Sequence, residues 1–259
     1  LAPDFMGFRP QRSALMLMGD ESITLEELIA YKQSTRMAAA DRILDDLIPA
    51  VRASDDAEAK QAADVLEAWD RTADAGSRGG VLFLAWLEQF AYTSQGGGWA
   101  TPWSTGDPVA TPDGLGDPVA AVRLLGAAAR SVKDKYGVLD VRWGDVHHAK
   151  VGDFEVEASG APGDPGGVFR VAAYQEDAEG RRWVNHGDTW YAALEFTPDG
   201  VNARVLLAYG NSSQAHSPHR GDQLELYGRK EMRTPWRTRG DIEAHLEATT
   251  DLTSPESTP

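Results

Sequence analysis

The apolar residues change their repeat roughly half-way along the chain, and this switch constrains the fold more than any other feature. Up to about residue 137, Leu25, Leu28, Ile29, Met37, Ile43, Leu44, Leu47 and Ile48 recur at helical spacing. From about Val138, the runs Val168 to Tyr174, Thr189 to Phe196 and Ala203 to Tyr209 are rich in β-branched and aromatic residues, the mark of strands. Helices followed by strands, with no internal repeat, predict an α+β arrangement. The expected organisation is a mainly helical segment over 1–137, a β-rich segment over 138–250 and a frayed Ser/Thr/Pro-rich tail over 251–259.

Local signals place the elements. Thr24 to Glu27 spells a capping box, in which a hydroxyl and a carboxylate satisfy exposed backbone N–H groups. The helix it opens is expected to end near Pro49. A second helix is expected from Asp55 or Asp56 to Trp69, and Val81 to Phe90 reads as a nearly buried one. Residues 94–117, punctuated by Gly96, Gly97, Gly98, Pro102, Pro108, Pro112 and Gly114, predict a long loop without regular structure. Such a loop commonly covers a site or wraps another piece of protein. Asp117-Pro118 then opens a helix that reaches Lys135 before Gly137. Pro198-Asp199-Gly200 predicts a hairpin, and Thr238 with Asp241 a last short helix.

Composition excludes several function classes. The formal net charge of −15 repels nucleic acid and anionic lipid surfaces. The chain contains no cysteine, and so no disulfide, thiolate metal site or cysteine nucleophile. No apolar run approaches the ~18–20 residues of a membrane span, which predicts a soluble chain. Its apolar content of 42% supports a true core. The sequence opens with no signal-peptide pattern, which leaves secretion open.

No complete catalytic constellation is evident. The sequence has no Gly-x-Ser-x-Gly elbow, phosphate-binding loop or His-Glu-x-x-His pair. His147 and His148 are adjacent, so on a strand they face opposite ways and cannot share a metal. His216, His219 and Asp222 form the one metal candidate, against the simpler reading of a loop whose polar groups satisfy backbone atoms. Arg220-Gly221-Asp222 and Asn211-Ser212-Ser213 spell short motifs that arise by chance and carry no weight. Trp69, Phe83 and Trp86 sit on helical apolar faces as core residues. Trp99 and Trp103, in the Gly/Pro loop, suit a cover over a site.

The last third carries an ordered set of motifs: Gly187-Asp188-Thr189-Trp190, Glu195-Phe196, Tyr209-Gly210-Asn211-Ser212-Ser213, and Ser217-Pro218-His219 followed by Asp222-Gln223. Gly228-Arg229-Lys230 and Trp236 follow. Arg9-Pro10-Gln11-Arg12, Leu47-Ile48-Pro49, Leu66 to Asp70 and Ser77-Arg78 with Leu82-Phe83 agree with them at the other end. Together they resemble the penicillin-acylase family of N-terminal-nucleophile hydrolases, in the branch of acyl-homoserine-lactone and echinocandin-type acylases.

The resemblance implies a precursor that cuts itself and a large chain beginning with Ser, Thr or Cys. That side chain attacks an amide while its own α-amino group, with a pKa of ~7.7–8.0, serves as base. It further implies an αββα core that this chain helps complete and an extracellular or periplasmic location. The substrate would be a linear N-acyl amide such as an acyl-homoserine lactone, lipopeptide or penicillin. Leu1 has no nucleophilic side chain. The expectation is therefore the C-terminal portion of a large subunit, with nucleophile, oxyanion groups and any calcium ligands supplied from outside these residues by the remaining acylase chain or chains. No cofactor is expected in this chain, nor any nucleic-acid or membrane partner. One site residue carries over, an arginine that supports the nucleophile: Arg9, with Arg12 as the neighbouring option. A structural ion pair is the competing role for Arg9. The rival functions are a non-catalytic binding module of acylase ancestry and a metal-dependent hydrolase using His216, His219 and Asp222.

Overall fold

The computed structural model describes residues 5–93 and 98–250. Six helices make up most of the first half: α1 (Phe8–Met18), α2 (Leu25–Lys32), α3 (Ala38–Ala53), α4 (Ala57–Ala68), α5 (Gly80–Thr93) and α6 (Pro118–Tyr136). Their starts follow the sequence signals. Thr24 Oγ1 accepts from the Glu27 amide at 3.2 Å, and the Glu27 carboxylate accepts from the Thr24 amide at 2.9 Å. Asp56 caps α4 and Asp117 caps α6, whose C-terminus closes on left-handed Gly137.

Two boundaries differ from expectation. The apolar series from Leu25 breaks into α2 and α3, because residues 33–37 pair with a distant segment instead of continuing the helix. Met37 donates its amide to the Arg71 carbonyl at 2.9 Å, and Ala73 donates to Thr35 at 2.9 Å. The helix expected to end near Pro49 runs on to Ala53. Proline there deprives only the Asp45 carbonyl of its partner. The Asp45 side chain is on the solvent side, while Val51 beyond it is fully buried, and that burial keeps the last turn helical.

The main core lies between α3, α4, α5 and α6. Ile43, Leu44 and Leu47 meet Leu66, Phe83 and Trp86, all with 1% exposure or less. Trp86 also donates its indole N–H to the Ala121 carbonyl at 3.0 Å. Small residues let α4 and α6 approach closely: Ala59, Ala62 and Ala63 face Ala121 and Ala128. Trp69, Phe83, Trp86 and Phe90 form a chain of ring contacts at 4.8–5.7 Å, as their helical spacing predicted.

Gly79, just before α5, has φ +119°, and a Cβ there would lie 2.6 Å from Trp69 Cβ. Gly79→Ala is expected to lower stability by more than about 1 kcal/mol, measured by urea unfolding. An unchanged midpoint would show that the indole yields.

Residues 98–117 hold more order than the Gly/Pro content suggested. A two-stranded ribbon pairs β1 (Trp99–Thr101) with β2 (Asp113–Leu115). Trp99 packs on Phe8 and Phe90, at 5.2 and 5.9 Å, so it closes the core rather than covering a site. Trp103 contacts Phe5 edge-on at 5.7 Å.

The second half contains a short helix α7 (Trp143–Val146) and the strands β3 (His147–Val151), β4 (Phe154–Glu157), β5 (Ala172–Glu176) and β6 (Arg182–Gly187). Their sheet has the order β4-β3-β6-β5, with β3 and β6 parallel. The expected strand from Val168 is shorter than predicted. Its first residues form an irregular segment in which Arg170 donates its amide to Ser34. β7 (Trp190–Thr197) and β8 (Gly200–Leu207) form the predicted hairpin. The chain ends through a 3₁₀ turn at Pro218–Arg220, then α8 (Leu224–Arg229) and α9 (Arg239–Ala244), the latter with the expected capping box at Thr238 and Asp241. The class is α+β. Among the described residues, no helix is long and apolar enough to cross a membrane. The 251–259 tail and Gly96-Gly97 of the loop lie outside the described residues.

Candidate functional site

Helix α1 carries both arginines singled out from the sequence, and it is fixed from both sides. The Phe8 amide donates to Asp164 Oδ1 at 3.0 Å. The buried Gln11 amide group donates to the Met6 and Thr111 carbonyls at 2.8 and 2.7 Å. Arg9 and Arg12 then project to different surroundings.

Arg9 turns to the irregular segment before β5. Its Nε donates to the Phe169 carbonyl at 3.3 Å, and its guanidinium carbon lies 4.9 Å from the centre of the Phe169 ring. Phe169 begins an alternation of cations and rings. Lys32, ion-paired with Asp188, lies over Phe169 at 5.3 Å and over Tyr191 at 4.9 Å. Arg170 lies over Tyr227 at 4.5 Å. Arg170 is fully buried. It donates to the Ser159 carbonyl at 3.1 Å, to the Tyr227 carbonyl at 2.7 Å and to the Gln33 side-chain oxygen. Burial pushes the Tyr191 and Tyr227 phenols up, so these rings stay neutral beside the cation.

Arg12 faces the other way, between two cavities of about 540 and 450 Å³. Gln33, Arg36 and Lys230 line the first; Asp41, Arg42 and Asp107 line the second. Arg36 grips Asp41 with two bonds of 2.6 and 2.7 Å, and Arg71 adds a third at 3.2 Å. Asp41 is thereby taken up by other cations. Burial and the like charge of Arg36 push the Arg12 guanidinium below its usual range, with Asp41 opposing them. Its Nε has no hydrogen-bond partner, and neither has the Gln33 side-chain nitrogen. Both nitrogens are buried within the packing around α1 and α2 rather than open to the cavities, so what Arg12 offers the cavities is the rest of its cationic side chain.

The histidines do other work. His219 has one ring nitrogen 2.8 Å from Asp222 and the other 2.8 Å from Glu247, and these carboxylates, Asp222 foremost, push its pKa up. It clasps the turn to the segment after α9. His216 is exposed. Among the described residues, no three or more His, Asp or Glu side chains are placed to hold a metal ion. Of the three residues read from the sequence, His219 and Asp222 are in contact, and the second His219 nitrogen is taken by Glu247, which lies outside that set. No hydroxyl among the described residues is hydrogen-bonded to a histidine ring.

His147 and His148 do face apart. His147 stacks on Trp143 at 3.7 Å, whereas His148 contacts Arg181 and Glu155. Burial, then Arg182, lowers the His147 pKa from 6.5 to about 3. Between these values the unfolded chain binds the extra proton. Stability is therefore full above pH 6.5 and falls as the pH drops toward 3, by up to about 1.4 kcal/mol per pH unit. Unfolding midpoints of wild type and His147→Gln across this range test the point: the variant should show the shallower slope, and parallel curves would refute the assignment.

The sequence alone missed Arg170, although a lone cation among Val168, Phe169, Val171 and Ala172 was its signal. It also missed Gln33, for which local sequence offered none.

A family model described as penicillin amidase matches residues 3–244. The chain belongs to the penicillin amidase family. Within it, the chain is 28% identical to the acyl-homoserine lactone acylase PvdQ of Pseudomonas putida over 234 residues, 88% of this chain and 29% of that protein. It is 29% identical to the aculeacin-A acylase of Actinoplanes utahensis over 233 residues, 84% of this chain and 27% of that protein. The chain thus spans under a third of the length of these family members. A thermostable penicillin G acylase from Alcaligenes faecalis aligns in three dimensions with TM-score 0.48 and 18% identity, covering 95% of this chain and 53% of that one.

Proposed function

We propose that this chain is part of an amide hydrolase that cleaves a linear N-acyl amide, with the nucleophile supplied by acylase polypeptide outside these 259 residues. The supporting observation is the family match over residues 3–244, with an acyl-homoserine lactone acylase and an aculeacin-A acylase among the relatives. In this reading the N-terminal hydroxyl or thiol adds to the amide carbonyl, the C–N bond breaks, and the amine leaves with a proton from the α-amino group. Water then cleaves the acyl-enzyme to the acid. The chain contributes helices and strands that complete an αββα core, in an autoprocessed enzyme acting outside the cytoplasm.

Arg12, rather than Arg9, suits the supporting arginine. Its side chain lines two cavities, whereas Arg9 is committed to the Phe169 carbonyl and ring. Calcium, if the assembled enzyme uses it, would be held by residues outside the chain, and no step here runs through it.

The test is to assay the native assembly against an acyl-homoserine lactone, a lipopeptide and a penicillin. Equal release of acid and amine from one of them is expected. An assembly that contains this chain and hydrolyses none would favour the non-catalytic module.

A further inference from the structure

The chain carries 25 Lys and Arg against 40 Asp and Glu, yet the cavity of about 540 Å³ lined by α1, α2 and the end of α8 inverts that balance. Arg12, Arg36, Arg229 and Lys230 line it, and Glu26 is the one carboxylate among its lining residues. Three of these cations have carboxylate partners that lie outside the lining: Arg36 with Asp41, Arg229 with Glu225 and Glu231, and Lys230 with Asp74. Arg12 differs. It is half-buried, and it has no hydrogen bond and no ion pair with any described residue. A guanidinium cannot shed its proton to escape desolvation, as a buried lysine can. Without an anion its partial burial is a standing cost, and the like charge of Arg36 adds to it.

Apolar groups share the lining: Met16 from α1, and Ile29 and Ala30 from α2. A cavity with cationic and apolar walls fits a ligand of both characters. The charge of the whole chain narrows the choice further. At −15, its long-range field repels polyanions such as nucleotides. A single carboxylate meets the local cations at contact range, where a guanidinium fork holds it through two bonds.

We propose that this cavity binds an amphipathic monocarboxylate, its carboxylate held by Arg12 with Arg229 and Lys230 and its apolar chain against Met16 and Ile29. Binding of this kind goes beyond amide hydrolysis and does not depend on it.

The experiment uses the enzyme produced from its complete gene, titrated calorimetrically with octanoate, with acetate, which has the charge alone, and with octanol, which has the chain alone. Octanoate is expected to bind tighter than either by about ten-fold or more. The double variant Arg229→Gln/Lys230→Gln should weaken octanoate by about ten-fold or more, the scale of one charge-assisted hydrogen bond. Glu26→Gln, at an exposed position in the first turn of α2, should tighten it by about three-fold, a gain that a damaged fold cannot produce. Equal affinity in wild type and both variants means that octanoate binds elsewhere, and overturns the proposal.

Arginine labelling with phenylglyoxal, read by mass spectrometry, needs no variant. Octanoate should shield Arg229 relative to Arg239, whose side chain is 91% exposed. Equal labelling with and without octanoate overturns the proposal. Failure of wild type to bind octanoate does the same, and makes an acidic side chain of acylase polypeptide outside residues 1–259 the partner of Arg12. Hydrolysis of an N-acyl amide by that preparation would leave the proposed function standing.

Discussion

Arg170→Ala should destabilise the chain by at least about 3 kcal/mol, the largest effect expected of any single polar substitution here. The side chain is fully buried, and no carboxylate among the described residues is bonded to it. Its charge is held by two carbonyls, the Gln33 amide oxygen and the Tyr227 ring. Removing it leaves the Ser159 carbonyl and the Gln33 amide oxygen without this donor, while the Tyr227 carbonyl keeps the Lys230 amide at 3.2 Å, and it opens a hole between α2, the segment before β5 and α8. Each orphaned acceptor costs roughly 1–3 kcal/mol, and the sum is held down by relaxation. Arg170→Lys keeps the charge but loses the planar fork, so it should fall between wild type and alanine. Urea unfolding of the three proteins decides the matter, and an alanine variant within about 1 kcal/mol of wild type would show that the network adds little.

The second large effect concerns catalysis in the assembled enzyme. Arg12→Ala is expected to lower kcat by about 10²-fold, the scale on which positioned donors act, while stability changes little. Arg12 makes no hydrogen bond through Nε, so its removal orphans no buried acceptor there. Arg9→Ala should do the reverse, weakening the fold through Phe169 and leaving kcat within a few-fold. A positioning role predicts a fall in kcat with KM nearly constant, and partial rescue by Arg12→Lys. Equal losses of stability in both variants, with kcat untouched, would remove Arg12 from the site.

How far sequence reaches is clear from these two arginines. Both were singled out through the resemblance at Arg9-Pro10-Gln11-Arg12, with no capping signal to mark the helix that carries them. Their division of labour was not legible. Phe169, which engages Arg9, and Arg36 with Asp41, which surround Arg12, are brought in by tertiary structure. The same holds for the elements. Thr24, Asp117-Pro118, Gly137 and Pro198-Asp199-Gly200 act through their immediate neighbours, and each did what its local chemistry predicts. The break at 33–37 depends on hydrogen bonds to residues 71–73, which no local pattern announces. β3, β4 and β6 were missed because they are short and mostly polar, with sequences such as His147-His148-Ala149-Lys150 and Phe154-Glu155-Val156-Glu157. Parallel pairing of β3 with β6 and packing by α8, not intrinsic strand preference, hold them in place.

The attachments of the first two helices also set an order of events in folding. The Phe8 amide reaches Asp164, Arg9 reaches Phe169 and Lys32 reaches Asp188, each across more than 150 residues of chain. Contacts of that span close large loops, and they form only after the residues between have condensed. The four-helix core, built from neighbours in sequence, can gather first. Helix α1 then docks late and leaves early, so the arginine-bearing element is governed by the slowest and most reversible step of the chain's own assembly.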